Sequence, residues 1–418
     1  MIASHHVRLL VCAGAAAVSV GCGAAGASSG PTEFARSGPP QSSAAPGPAP
    51  AQPSAPSPSP SQQLIGRTPE GSGRNETIGT IGGTMPVRGD FTMKDFTFTS
   101  GERLPELRIH YMTLGTIKRD TAGHVTNAVL LMHGTSSSGQ QFARKQFADA
   151  LFGPGQALDL TRYYVILPDD IGHGDSSKPS DALRAKFPHY GYVDMVEAEH
   201  ALVVDGLKVD HLALVMGTSM GCMHSWLWAE KWPSDMDAVM ALACLPAPIA
   251  GRNREWRKML IDGIQQDPDW NGGEYTRQPR AGMLAAGHLF ALASSAPIAD
   301  QKRLPTSDAV DKDVEEGERR FALTHEANDL LYAVAASRDY DPSAELEKIT
   351  AQVLFVNSAD DFINPPELGI AERAIKRVKH GRFVLIPASE STHGHGTYSW
   401  GVFWQKDLEA LLAATAKK

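Results

Sequence analysis

One short segment, residues 212–221, restricts the fold of this chain more than any other. It starts with an apolar run typical of a buried strand and continues directly into Gly217-Thr218-Ser219-Met220-Gly221. Residues 223–232 then read as a helix that Pro233 stops. A strand, Gly-x-Ser-x-Gly and a helix form a turn so tight that the neighbours of the serine must be small. The segment therefore predicts that Ser219 Oγ is raised above a sheet edge, near a helix N-terminus.

Short apolar strands alternate with helical segments through the rest of the chain. We predict strands at residues 95–99, 106–113, 128–132, 163–167, 238–244, 353–356 and 383–386, and helices at 194–207, 366–378 and 398–413. This alternation indicates an α/β fold with a mostly parallel sheet and helices on both faces. One interval, about 247–348, contains only helix-like pieces. We interpret it as a helical cap inserted above the catalytic edge of the sheet.

The composition allows a large core and excludes some partners. The chain has 418 residues, of which 42% are hydrophobic, and its formal net charge is −8. A mildly acidic chain without basic runs has no feature that favours nucleic acid or an anionic membrane. Its four cysteines are too few for a disulfide framework or a cysteine-based zinc site.

The N-terminus has the pattern of an export signal. Arg8 precedes an apolar run, residues 9–20, which is too short to span a membrane as a mature helix. The run ends at Ser19-Val20-Gly21-Cys22, which resembles a bacterial lipobox, although Ser19 stands where leucine is usual. We therefore expect residues 1–22 to be a signal peptide, with both lipidation of Cys22 and ordinary cleavage open.

The segment that follows the signal differs in composition from the rest. Residues 23–63 consist largely of Pro, Ala, Ser and Gly, and such a segment cannot bury enough apolar surface to fold. It reads as a tether, stiffened by its prolines, that precedes a globular domain at residues 64–418. We expect an exported protein that is either lipid-anchored in the cell envelope or secreted, with the membrane reached only through an N-terminal lipid.

Two acids and two histidines downstream of Ser219 are candidates for its catalytic partners. A serine becomes a good nucleophile when a histidine takes its proton and a carboxylate orients that histidine. Asp360 and Asp361 follow the strand at 353–356, and we favour Asp361 with Asp360 as the alternative. His395, flanked by glycines, is our candidate base, and His393 is the alternative. The order serine, acid, histidine is the one expected for this arrangement of strands.

The negatively charged intermediate of such a reaction needs two hydrogen-bond donors. We assign them to the backbone N–H of Met220 and the backbone N–H of Thr135, in the loop after the strand at 128–132. Residues 133–139 lack the pattern of a phosphate-binding loop, and the pairs His393/His395 and His325/Glu326 lack metal-site spacing. We expect no metal and no cofactor. We interpret Cys222 as a small buried filler rather than a second nucleophile.

Taken together, these residues resemble the α/β-hydrolase superfamily and, within it, the homoserine O-acetyltransferase family. The resemblance extends from about Phe96 to the C-terminus. It is specific in four stretches: Gly217–Met223 with Trp228-Ala229-Glu230 and Trp232-Pro233, then residues 264–275, 326–332 and 361–366. It implies a triad of Ser219, Asp361 and His395 beneath a helical cap that lines the acyl and acceptor sites.

The chain also departs from that family. The loop after the fourth strand, residues 172–179, and the loop His133-Gly134-Thr135 have the form common in ordinary hydrolases. A Tyr-Arg pair of the cap, which we associate with handling the acceptor, is replaced around residues 290–294. Arg252, Arg254 and Arg257 are candidate ligands for a substrate carboxylate, with an exposed helix face as the competing interpretation.

These observations favour a serine hydrolase that acts on carboxylic esters through an acyl-serine intermediate. An O-acyltransferase of the homoserine O-acetyltransferase type, which uses the same triad, is the alternative. We prefer the hydrolase because an exported enzyme would meet neither acetyl-CoA nor a biosynthetic amino acid. A non-catalytic envelope protein is the third hypothesis, and the complete Ser-Asp-His set argues against it. We expect a small-molecule ester as the partner and leave a homodimer open.

Overall fold

A sheet of eight strands organises residues 79–415, the part of the chain that the computed structural model describes. The predicted signal peptide, the tether and Cys22 lie outside the described residues. The strands are β1 Val87–Thr97, β2 Arg103–Leu114, β3 Ala128–Met132, β4 Tyr164–Pro168, β5 Leu214–Thr218, β6 Ala238–Leu242, β7 Gln352–Ser358 and β8 Gly381–Ile386. Their spatial order is β1-β2-β4-β3-β5-β6-β7-β8.

The sheet is mostly parallel, as predicted. β1 pairs antiparallel with β2, and β2 pairs antiparallel with β4, whereas the pairs from β4 through β8 are parallel. β1 begins earlier than residue 95, where we had expected it. It is an edge strand whose polar side chains alternate with Phe91 and Met93, so its apolar signal is weak.

Helices cover both faces of the sheet. The α-helices are α1 Lys145–Leu151, α2 Tyr192–Ala201, α3 Met220–Lys231, α4 Gly251–Gln265, α5 Arg280–Ala293, α6 Pro297–Arg303, α7 Ser307–Thr324, α8 Ala327–Ala335, α9 Ile370–Ile375 and α10 Gln405–Thr415. A π-helical turn, Leu202–Gly206, extends α2. Short 3₁₀ helices lie at Gly139–Ala143, Pro179–Asp181, Arg184–Lys186, Pro268–Gly273, Ala336–Asp339, Leu346–Lys348, Pro366–Leu368, Gly394–Ser399 and Gly401–Phe403.

Two of the predicted helices are shorter than expected. The segment 366–378 is divided at Gly369, whose φ of +59° ends the first turn before α9 begins. The segment 398–413 becomes helical only at Gln405, because two 3₁₀ turns precede it. The first of those turns carries His395.

The apolar residues of the central strands are divided between two cores. In β3, Leu130 and Met132 face one core, together with α2, α3 and the helices of the insertion. Val129 and Leu131 face the other, against α1 and α10. A strand buried on both faces has no reason to alternate polar and apolar residues, which explains why these strands read as continuous apolar runs.

Five consecutive helices, α4 to α8, connect β6 to β7, and no strand interrupts residues 243–351. This helical interval is where we predicted the cap.

Among the described residues, no single helix is long and apolar enough to cross a membrane. Only α5 and α6 taken together reach that length and apolar composition, and they are bent by 106° relative to each other.

Candidate active site

Ser219 lies at the sharp turn between β5 and α3. Its φ of +54° and ψ of −107° place it in a backbone conformation that non-glycine residues rarely adopt. The turn needs glycine on both sides, because a Cβ on Gly217 would overlap the Gly221 carbonyl and a Cβ on Gly221 would overlap the Met132 carbonyl. The chain can thus present the serine at the carboxyl end of the sheet only with these neighbours.

Three of the predicted residues form one hydrogen-bonded chain. Ser219 Oγ lies 2.9 Å from His395 Nε2, and His395 Nδ1 lies 2.9 Å from Asp361 Oδ2. His395 is buried on the 3₁₀ turn before α10, and Asp361 is buried in the loop after β7. In this geometry His395 can accept the serine proton while Asp361 holds the imidazole ring in position.

The surroundings of Asp361 keep it ionised. Its Oδ1 accepts hydrogen bonds from the Ile363 and Asn364 amides at 2.8 and 3.0 Å, and its Oδ2 accepts one from Asn364 Nδ2 at 3.0 Å. Burial acts to raise the pKa of Asp361, but the charge and hydrogen bonds of His395 and Asn364 outweigh it and hold the pKa below its usual value.

The alternative acid and base occupy other positions. Asp360 Oδ2 accepts hydrogen bonds from Thr392 Oγ1 at 2.7 Å and from the Gly394 amide at 3.2 Å, so it anchors the loop that carries the histidines. The ring of His393 stacks on Trp400 with a centroid distance of 4.4 Å. The structure therefore joins Asp361 and His395, rather than Asp360 and His393, to Ser219.

The loop after β3 is clamped against the serine turn. The Gly221 amide donates to the His133 carbonyl at 2.9 Å. The side chain of Gln141 bridges the two segments, since it accepts from the Gly134 amide at 3.1 Å and donates to Thr218 Oγ1 at 2.7 Å. Our sequence analysis had not singled out Gln141, which no motif distinguishes from an ordinary helix residue.

Both predicted oxyanion donors belong to segments that this clamp holds next to Ser219. Met220 is the first residue of α3, so its N–H has no acceptor inside the helix. Thr135 follows Gly134, at which a Cβ would come within 3.5 Å of Ser219 Cβ. Backbone donors held on two sides of a nucleophile are suited to stabilise an oxyanion.

Cys222 is buried, as expected, but it does more than fill space in the core. It forms a disulfide with Cys244, which lies just beyond the end of β6. The bond links the first turn of α3 to the chain that leads into the insertion. Sequence reasoning missed it because the two cysteines are 22 residues apart and become neighbours only when β5 and β6 pair.

Behind the serine turn lies a buried cluster formed by Asp170, Glu199 and His224. His224 Nδ1 lies 2.8 Å from Glu199 Oε1, and Trp228 Nε1 donates to Glu199 Oε2 at 2.6 Å. Burial raises the pKa of Asp170 well above its usual range and raises the pKa of Glu199 to about 7. Two adjacent buried carboxyl groups favour a shared proton over two negative charges.

Two groups of side chains bring three potential metal ligands within 4.8 Å of one another in the described residues, namely His110/Asp169/Asp175 and Asp170/Glu199/His224. In the first, Asp169 already accepts from the amides of Gly139 and Asp175, each at 2.8 Å. In the second, both Glu199 oxygens accept hydrogen bonds from Trp228 and His224. These contacts account for Asp169 and Glu199, whereas both carboxylate oxygens of Asp170 are buried without a hydrogen-bond partner.

The three candidate arginines of α4 lie in different surroundings. Arg252 is exposed, donates to the Phe362 carbonyl and lies 3.8 Å over the Phe362 ring. Arg254 is half-buried, and Arg257 is 2% exposed. The structure thus places only Arg257 fully inside the protein.

A cavity of about 810 Å³ lies between the start of the insertion and the loop that carries Asp361. Its walls are mostly apolar and include Met223, Leu245, Ile249, Pro297 and Phe362. A cavity of this size is within the range that holds small organic ligands.

Comparison with known proteins agrees with this geometry. Residues 127–390 match the family described as the alpha/beta hydrolase fold. The homoserine O-acetyltransferase of Geotalea daltonii is 28% identical over 340 residues, which cover 73% of this chain and 90% of that protein.

Solved structures share the fold. The homoserine O-acetyltransferase from Bacillus anthracis superposes with a TM-score of 0.69 at 21% identity, covering 79% of this chain and 98% of that one. An acetylester hydrolase from Corynebacterium glutamicum superposes with a TM-score of 0.69 at 20% identity, covering 78% and 96%. On the match over residues 127–390, this chain belongs to the α/β-hydrolase fold family, and it resembles homoserine O-acetyltransferase.

Proposed function

We propose that this protein transfers an acyl group through an acyl-enzyme on Ser219. The observation that carries the proposal is the chain from Ser219 Oγ to His395 to Asp361, in which both contacts measure 2.9 Å. A serine connected in this way has the partners that acyl transfer requires.

The reaction has two halves. In the first, Ser219 Oγ attacks the carbonyl carbon of the substrate and its proton passes to His395 Nε2. The amides of Thr135 and Met220 stabilise the oxyanion, and His395 then protonates the leaving group. In the second half, His395 takes a proton from the acceptor, the acceptor oxygen attacks the acyl carbon, and Ser219 regains its proton.

We take an alcohol as the first candidate acceptor, which makes the protein an O-acyltransferase of the homoserine O-acetyltransferase type. The curated relative named above carries that activity in its name and matches this chain over 90% of its own length. The relatives therefore favour the transferase over the hydrolase that our sequence analysis preferred.

Water is the second candidate acceptor, and one observation favours it. The Cys222–Cys244 disulfide lies immediately behind the serine turn, and disulfides persist mainly in oxidising compartments outside the cytosol. Acyl-CoA thioesters are cytosolic, so an exported enzyme would pass the acyl group to water. Export itself is part of this proposal and rests on the sequence pattern of residues 1–22.

Two assays with the purified protein separate these candidates. In one, p-nitrophenyl acetate is supplied with water as the acceptor. In the other, acetyl-CoA is supplied with and without homoserine, and thiol release is followed. Thiol release from acetyl-CoA that requires homoserine supports the transferase. Turnover of p-nitrophenyl acetate without any homoserine-dependent thiol release supports the hydrolase. Absence of both, together with absence of fluorophosphonate labelling at Ser219, would refute the proposed acyl-enzyme.

A further inference from the structure

Arg257 on α4 is a buried cation with incomplete hydrogen bonding. Its Nε donates to Asn253 Oδ1 at 3.0 Å, and its guanidinium lies 4.7 Å over the ring of Trp256. Its Nη1, however, is buried and has no hydrogen-bond partner. A purely structural arginine would normally use its donors, because a buried donor without a partner destabilises the folded protein.

Within residues 79–415, no ion pair compensates the Arg257 guanidinium. The groups that act on its pKa are the Tyr192 hydroxyl and the like charge of Arg254, whose Nη1 is also buried without a hydrogen-bond partner. Burial lowers the pKa of Arg257, but arginine stays protonated in proteins. Buried charges are normally paired, so an unpaired one indicates a place for an anion from outside the chain.

Two hydroxyl groups complete the surroundings of Arg257. The Tyr192 hydroxyl faces both the Arg257 guanidinium and Thr135. Tyr192 Oη and Thr135 Oγ1 are both buried and without a hydrogen-bond partner of good geometry. Thr135 belongs to the loop that is clamped against Ser219, so these unsatisfied donors lie at the edge of the candidate active site.

We propose that Arg257, Tyr192 and Thr135 bind a carboxylate carried by the substrate, so that the enzyme prefers anionic esters or acceptors over neutral ones. This inference rests on the proposed acyl-enzyme at Ser219. One buried guanidinium complements one negative charge. Arg257 Nη1 and the hydroxyl groups of Tyr192 and Thr135 lie beside one another without a hydrogen bond of good geometry, so they can donate to the two oxygens of a carboxylate.

Matched pairs of esters test this preference. In 3-acetoxypropionate the carboxylate is in the alcohol part, and in monomethyl succinate it is in the acyl part. The neutral partners are methyl 3-acetoxypropionate and dimethyl succinate. We expect kcat/KM of the wild type to favour the anion at least about tenfold in one pair, the effect of one charged hydrogen bond.

Variants identify the residue responsible. Arg257→Gln should reduce the preference to about one, and Arg257→Lys, which keeps the charge, should retain part of it. Lys258→Gln is the matched control, since Lys258 is exposed on the same helix and pairs with Asp262, and it should keep the wild-type ratio. Fluorophosphonate labelling of Ser219 in each variant shows that the site is folded.

The outcomes separate this inference from the proposed function. Turnover of p-nitrophenyl acetate with equal rates for both members of each pair would overturn the carboxylate site and leave the acyl-enzyme standing. A preference that survives in Arg257→Gln would also overturn it. Failure of Ser219 to react with any ester or with the fluorophosphonate would instead refute the acyl-enzyme itself.

Discussion

Asp360 and Asp361 are neighbours in the chain but have different contacts. Asp361 touches His395, whereas Asp360 binds the backbone and side chains of the loop that carries that histidine. The strand end at β7 predicted an acid here, and we favoured Asp361 with Asp360 as the alternative, but spacing alone keeps both consecutive acids as candidates. Only the direction of each carboxylate distinguishes them.

We predict that Asp361→Asn reduces the acylation rate by about 10³-fold or more, because the imidazole loses the acceptor that holds its tautomer. Asp360→Asn is the control. It should cost less than about tenfold, because only the anchoring of the loop weakens. Stopped-flow release of p-nitrophenol measures both. Equal losses in the two variants would contradict the assignment of Asp361.

Glu199 gives a prediction about stability and pH. Burial raises its pKa to about 7 in the folded protein, from an ordinary value of 4.5. The folded state therefore holds this proton more tightly than the unfolded state, so the contribution of Glu199 to stability is fully present below about pH 4.5 and is lost as the pH rises towards 7. In Glu199→Gln this contribution is absent because the amide never ionises.

Thermal melting of the wild type and Glu199→Gln at about pH 5 and about pH 8 checks this expectation. The difference in melting temperature, Glu199→Gln minus wild type, should be more positive at the higher pH than at the lower pH. A difference between the two proteins that does not change with pH would show that Glu199 carries no shifted pKa.

At the scale of elements, the turn between β5 and α3 depends on close backbone contact. We predict that Gly221→Ala costs about 1–3 kcal/mol or more of stability, because the new Cβ overlaps the Met132 carbonyl of β3. Gly317→Ala on α7 is the control. Its Cβ would find only Arg320 Nη2 at 3.9 Å, and alanine favours a helix by about 0.5–1 kcal/mol. Urea unfolding measures both, and equal effects would contradict the account of the turn.

The Cys222–Cys244 disulfide links α3 to the segment that leads into the insertion. For a bond that joins residues 22 apart, loss of the cross-link is expected to cost about 3 kcal/mol. Comparison of unfolding in the wild type and in Cys222→Ala/Cys244→Ala measures this cost. Alkylation and peptide mapping that find free thiols at Cys222 and Cys244, in wild type purified without reductant, would contradict the bond.

The central elements could be predicted from the sequence because their signals are local. β3 is continuously apolar and was located to the residue, and Gly217 and Gly221 mark the turn. The early start of edge strand β1, the break at Gly369, the disulfide and the contacts of Gln141 could not be predicted. Each depends on which segments become neighbours in the folded chain, and residue patterns carry little information about that.

For the whole molecule, export stays a prediction that the N-terminus can test. If the N-terminus is a cleaved signal, the protein isolated from its native host should lack its first residues, and cleavage at the lipobox would remove residues 1–21 and leave Cys22 as the new N-terminus. Mass spectrometry of the first peptide distinguishes a diacylglycerol-modified Cys22, recovered with membranes, from an unmodified mature end in the medium. Recovery of a cytosolic protein that still begins at Met1 would refute export and remove the argument for water as the acceptor.

The acyl-enzyme on Ser219 is the central claim, and peptide mapping tests it most directly. The wild type is mixed with p-nitrophenyl acetate, quenched with acid within the first turnover and digested, and Ser219→Ala is treated in the same way. We predict one acetyl group on the peptide that contains Ser219 in the wild type and none in the variant. Turnover that proceeds with Ser219 unmodified, or equally well in Ser219→Ala, would contradict the account.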